Sequence, residues 1–295
     1  MLDLIVSSQN TLGAQKVVLE INTTNISNNY TDAYKALRPV FKTIYNKSLT
    51  TGYGGLPGQA QENPLQTGPT MTISATFLDM TQGKLRVGNK LSLAITGKGF
   101  FMVSPATTGD NRVRLLSRQG QYGKSFDDKY VVDGEGRHLM GYKMNADGTP
   151  DRSQLVPIAV EGENDLGFID GGILVNNYEA FIDASAEIDR TAPLPVRRAM
   201  YQVALATVPN EEALKIEGGN AYAETPASGF INNIDVPGTN GNGRVSAKFL
   251  EESNVFYLGE IIDSIKIQRA WQASLGILQM VVQELKNFIQ SVSSQ

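Results

Sequence analysis

The chain has 295 residues, no cysteine and one histidine, and its 26 Lys and Arg against 30 Asp and Glu give a formal net charge of -4. With 41% of residues in the hydrophobic set, it is long and apolar enough to bury a core as one or two domains plus appendages. The missing cysteine excludes disulfides, thiolate metal sites and cysteine nucleophiles, and the absence of a basic stripe interleaved with aromatics excludes a nucleic-acid partner.

The first segment, MLDLIVSSQNTLGAQKVVLEI, has neither the positive start nor the unbroken apolar run of a cleaved secretory signal, and no later stretch is apolar enough to span a bilayer. On a heptad grid it places Leu2, Ile5, Leu12, Leu19 and Ile26 on one stripe, with Gln9, Lys16 and Thr23 in the same seam, so a helix is predicted. Residues 46–69 are rich in Gly, Pro and Gln without apolar periodicity and read as an extended or partner-ordered loop. From there the texture is that of short strands such as MTISATF, LSLAI, FFMV, KYVV and MYQVALATV, separated by Gly, Asn and Asp turns. Asp133-Gly134 and Asp147-Gly148 predict tight hairpin turns, with glycine accepting positive φ.

The last segment carries a cleaner seam. Ile261, Trp271, Leu275, Leu278, Val282, Leu285, Ile289 and Val292 fall on a and d positions, with Ser264 and Gln268 as polar exceptions. Two amphipathic terminal helices cannot bury their seams alone, so they must bury each other or partner subunits. The fold class expected is mainly β with long N- and C-terminal α-helices: a discontinuous helical core domain plus a β-rich middle.

Sites for chemistry are missing. Gly123-Lys124-Ser125 lacks the glycine a phosphate loop needs five residues earlier, where Arg118 stands. There is no G-x-S-x-G elbow, and His138 has no evident nucleophile beside it. One histidine and no cysteine leave only oxygen ligands, and Asp127-Asp128 lacks the alternating spacing of a calcium loop. Glu211-Glu212 and Glu251-Glu252 are adjacent pairs that point apart in a helix or a strand, so neither makes a carboxylate dyad. No catalytic residue, no metal site and no cofactor are expected, and the chain reads as no enzyme.

Four stretches, in order, carry a resemblance. Thr24-Asn25-Ile26-Ser27-Asn28 with Thr31-Asp32-Ala33-Tyr34-Lys35 comes first, and TQGKLRVGNKLSLAITGKGFFMV over 81–103 second, followed by Ser117-Arg118-Gln119-Gly120-Gln121-Tyr122. Ala206-Thr207-Val208-Pro209-Asn210 and Tyr222-Ala223-Glu224-Thr225-Pro226-Ala227-Ser228-Gly229 form the third. Leu250-Glu251-Glu252-Ser253-Asn254-Val255 leading to Gln268-Arg269-Ala270 is the fourth, with Ser253 or Asn254 placed to cap the final helix. Together they resemble the bacterial flagellar basal-body rod and hook protein family, most of all its rod proteins. Departures are Thr24 for the first Asn of the signature, Ala33 for its Gly, Ser92 for a common Asp, and Trp271 for Tyr. Ala33 predicts altered turn dihedrals, because alanine disfavours positive φ.

The resemblance implies a structural subunit of the flagellar axis that polymerises by terminal-helix packing into the tubular rod and transmits motor torque, with the hook as an alternative. A secreted β-rich ligand-binding module is the alternative of another class. The implied domains are a terminal-helix core of 1–34 and 254–295, an intermediate β layer of 35–95 and 205–253 with the loop 46–69, and an outer β domain of 96–204. The implied partners are copies of itself in a helical homopolymer, neighbouring rod and hook proteins, and the type III export apparatus. The implied place is the basal-body rod in the periplasm, reached without a cleaved signal peptide. Assembly-interface residues are expected to be Leu2, Ile5, Leu12, Leu19, Asn25, Ile26, Asn28, Ile261, Gln268, Arg269, Trp271, Leu275, Leu278, Val282, Leu285 and Ile289.

Overall fold

Helices stand at both ends of the chain in the computed structural model: α1 spans Leu2–Ser27 and α2 spans Tyr257–Ser293. Residues 2–43, 47–48, 66–67, 71–105, 114–145, 147–163, 165–178, 199–231 and 233–293 are described by the structure. The chain divides into a helical unit, made of Met1–Ser27, Leu37–Phe77 and Phe256–Gln295, and a β unit, made of Asn28–Ala36 and Leu78–Val255. Mainly β with terminal helices is the class the sequence predicts.

In the helical unit, Gln15 pairs with Ser274 and Asn25 with Glu260, so the two helices run antiparallel. At about 1.5 Å per residue, α1 is about 39 Å long and α2 about 55 Å. Beside them the strand Leu37–Thr43 pairs with Met71–Leu78. Most of the loop expected at 46–69 lies outside the described residues. Near its two ends, Lys47–Ser48 and Gln66–Thr67 form a short antiparallel ladder.

The β unit is built on an antiparallel sheet. Its spatial order is Leu166–Ile169, Ile173–Asn176, Ala199–Val203, His138–Lys143, Phe100–Ser104, Leu115–Ser117, Ala221–Ala223 and Lys215–Gly218. Leu205–Thr207 also pairs with Phe100–Ser104, so ladder bonds cross the boundary drawn at 204/205. Leu93, Ile95, Phe101, Leu139, Phe168 and Val203 belong to the main core cluster. Phe100, Phe101, Met102 and Val103 are all fully buried, which is why this strand reads as an unbroken apolar run with no alternation. The strand Leu93–Thr96 shows no one-sided alternation, since Ala94 is buried as fully as Leu93 and Ile95. A small side chain there lets the opposite face pack as well.

Turn chemistry agrees with the sequence in part. Gly148, in the predicted Asp147-Gly148 turn, has a positive φ of 74°, and Gly97 and Gly99, between the second motif's two strands, have φ of 103° and 117°. In the turn after Val131–Val132, however, the positive φ falls on Gly136 and not on Gly134. The Asp133 carboxylate sets that turn by accepting from the amides of Glu135 and Arg137.

Candidate assembly site

α1 buries Ala14, Val18, Ile21, Asn22 and Asn25, which share one face. Ile5, Leu12, Leu19 and Ile26, the predicted stripe, are only half-buried on the flank of that face, and the side chain of Leu2 lies outside the described residues. In α2 the inward positions are Glu260, Ser264, Ile267, Ser274, Leu278, Val281 and Leu285. Leu278 and Leu285 are therefore on the seam as expected. Ile261 and Leu275 are half-buried beside it, whereas Gln268, Arg269, Val282 and Ile289 are exposed, as is Trp271 at 42%.

The observed seam is the predicted one with alternate positions moved back by one residue, and a polar cluster accounts for the rotation. Glu260 is buried, and its Oε1 lies 2.5 Å from Arg38 Nη1 while its Oε2 accepts from Asn25 Nδ2 at 3.3 Å. Asn25 is fully buried. It donates through Nδ2 to the Leu37 carbonyl at 3.0 Å and accepts the Leu37 amide on Oδ1 at 2.9 Å. A buried carboxylate without such partners is costly, so the rotation that satisfies Glu260 wins over one that would bury Ile261 instead. Asn28, at the end of α1, accepts from the Thr31 hydroxyl on Oδ1 at 3.1 Å. Sequence periodicity missed Glu260, Arg38 and Val281; the only available signal was that 260, 267, 274 and 281 form a second heptad register flanking the same d positions.

Packing leaves a second apolar face on α2. Leu258, Ile262, Ile265 and Met280 project opposite the seam and are exposed, Ile262 at 44% and Met280 at 62%. Arg269 and Gln272 interrupt this stripe and are exposed too.

In the β unit the first motif forms a strap, Asn28–Ala36. Ala33 keeps a left-handed backbone with φ 57° although it carries a Cβ, which corrects the expectation of altered dihedrals. Its amide donates to the Glu251 carbonyl at 2.8 Å, and that bond, together with full burial, holds the strained turn. Lys35 is also buried and donates through Nζ to Glu251 Oε1 at 2.6 Å and to the Thr81 carbonyl at 2.8 Å. Burial pulls the Lys35 pKa below the usual lysine value, against the raising influence of Glu251. Glu251 further accepts from the Gly83 amide at 2.9 Å, and its Oε2 stands 3.6 Å from Arg118 Nη1. On its outer side the strap is anchored by Asp32, whose carboxylate accepts from two nitrogens of Arg86. Neither Ser253 nor Asn254 caps α2 as predicted: α2 begins at Tyr257, and Asn254 bonds to the strap and to Asp79 and Thr81.

His138 stacks on Tyr130, with ring centroids 4.5 Å apart. A cleft of about 770 Å³ in the β unit is lined by Lys98, Arg118, Pro209, Glu211 and Glu212 among others. Asp79 and Thr81 also line it; the Asp79 carboxylate accepts from the Thr81 amide at 3.1 Å and from the Thr81 hydroxyl at 2.7 Å, a local turn contact. Among the described residues no group of three His, Cys, Asp or Glu could hold a metal ion, and no helix is long and apolar enough to cross a membrane.

No family model matches the chain. Over 90% of its length it is 29% identical to the flagellar basal-body rod protein FlgG of Agrobacterium fabrum, covering 90% of that protein. The FlgG proteins of Borreliella burgdorferi and Bacillus subtilis are 28% and 25% identical, again over about nine-tenths of both chains. In sequence the chain is similar to flagellar rod and hook proteins. It is 36% identical to the flagellar hook protein FlgE of Caulobacter vibrioides, but over only 32% of this chain and 16% of that one.

Proposed function

We propose that this chain is a structural, non-enzymatic subunit of the bacterial flagellar axis, a rod protein that polymerises with copies of itself and passes torque along the tube. The observation that carries this reading is similarity to rod proteins over nine-tenths of both chains, against hook similarities that span a third to a half of this chain and less than a third of the hook proteins. The exposed apolar stripe of α2 supports it, because a terminal helix with two apolar faces is suited to bury one within its own subunit and the other against a neighbour. In the assembled tube the terminal helices lie innermost, residues 35–95 and 205–253 form a middle layer, and 96–204 face outward. The subunit leaves the cell through the flagellar type III export apparatus and joins neighbouring rod and hook proteins in the periplasm.

Immunogold electron microscopy of isolated hook and basal bodies, with antibody to the β unit and a deletion strain as control, tests this reading. Label confined to the rod is the expected result. Label along the curved external segment would make the chain a hook subunit, and no label on either would overturn the axial assignment.

A further inference from the structure

Four stretches of backbone leave the β unit for the helical unit, at residues 28, 36, 78 and 255. Inside the β unit, one side chain ties most of these exits together. Asn254 Oδ1 accepts the Ala36 amide at 2.8 Å, while Nδ2 donates to the Asp79 carbonyl at 2.7 Å, to the Thr81 carbonyl at 3.0 Å and to Thr81 Oγ1 at 3.1 Å. Its own amide donates to the Tyr34 carbonyl at 3.3 Å, and the Asp79 amide donates to the Ala36 carbonyl at 2.8 Å. The orientation of the carboxamide is fixed by chemistry, since a backbone amide only donates and a backbone carbonyl only accepts. The fourth exit is joined through Ala33 and Lys35, both bonded to Glu251, three residues before Asn254.

We propose that Asn254 is the positioning residue of a mechanical anchor, which makes the β unit release its connecting segments together or not at all. A segment held only by its own bonds peels away alone, because local openings need far less free energy than global unfolding. With three exits cross-tied through the Asn254 carboxamide and the fourth through Glu251, tension arriving on any one of them must break bonds to the others. The force has no other covalent route, because every link between the units passes through these four points. This inference rests on the axial reading for its purpose but not for its structural claim.

Hydrogen exchange on the purified full chain tests the structural claim. In Asn254→Ala, the amides of Ala33, Ala36 and Asp79 should exchange about 10- to 100-fold faster, the effect of losing a few hydrogen bonds. Those of Ile158 and Val203, bonded within the β core, should be unchanged. If the alanine variant fails to fold, Asn254→Asp keeps an acceptor for Ala36 and sets a carboxylate against the oxygens of Asp79 and Thr81, and the same local acceleration is expected. Unchanged exchange in the strap, or acceleration spread evenly through the core, would overturn the anchor. For its purpose, cells carrying either variant should lose swimming speed more steeply than wild type as medium viscosity rises, and equal viscosity dependence would overturn the mechanical role. A deletion strain that swims normally would sink the axial reading and this purpose with it, leaving the exchange result to stand by itself.

Discussion

His138 shows how a lone titratable residue in this fold affects stability without serving chemistry. Its ring stacks on Tyr130, and burial lowers its pKa from the ordinary value of 6.5. Between the lowered value and 6.5 the folded chain binds fewer protons than the unfolded chain, so stability falls as pH drops through that window and levels off below it. The ring is only partly buried, so the loss should stay below about 1 kcal/mol. His138→Phe keeps an aromatic on Tyr130 and removes the titration. Urea midpoints measured from about pH 7.5 to about pH 5 should therefore fall less in the variant than in wild type; parallel curves would show that His138 does not titrate within this window. At this scale the sequence is readable where chemistry is local. Gly148 takes the positive φ that its Asp-Gly turn suggests. Ala33 is not readable in this way, because its strain is offset by partners far away in sequence, Glu251 above all, which no local rule contains.

At the scale of elements, both helices and the β-rich middle are legible, because periods of about 3.6 and 2 are written directly into the order of apolar residues. The rotation of the helix pair is not. Two heptad registers in α2 share Ser264, Leu278 and Leu285, and hydrophobicity favours the one with Ile261, Leu275 and Val282. The choice belongs to Glu260, whose partners Asn25 and Arg38 come from the other end of the chain. Glu260→Ala removes the acceptor that both of them use. Since Arg38 is partly solvated, the expected loss is about 2 kcal/mol, below the usual cost of breaking a fully buried pair. It should appear as earlier urea loss of helical circular dichroism, while near-ultraviolet signals of the β unit hold. Glu260→Gln, which can still accept from Asn25, should lose less. Equal losses in the two variants would mean that charge and not shape sets the register, because glutamine keeps the shape.

For the whole molecule, the two faces of α2 separate folding from assembly. Leu278, Val281 and Leu285 face the seam within one subunit, so an acidic residue at any of them would loosen the helix pair before assembly is reached. Such a variant could not report on the polymer alone. Ile262, Ile265 and Met280 lie on the opposite face and are exposed, so a polar substitution there removes little that the single subunit buries. Ile262→Glu and Met280→Lys should each leave the unfolding free energy of the purified chain, from urea titration, within about 0.5 kcal/mol of wild type. In cells they should abolish incorporation into the axis and stop swimming, because placing an unpaired charge inside a packed helical interface costs several kcal/mol at every copy. Val281→Asp supplies the contrast, with loss of both stability and assembly. Normal incorporation of Ile262→Glu and Met280→Lys would mean that this face stays in water within the tube, and that contacts between copies are made elsewhere on the chain.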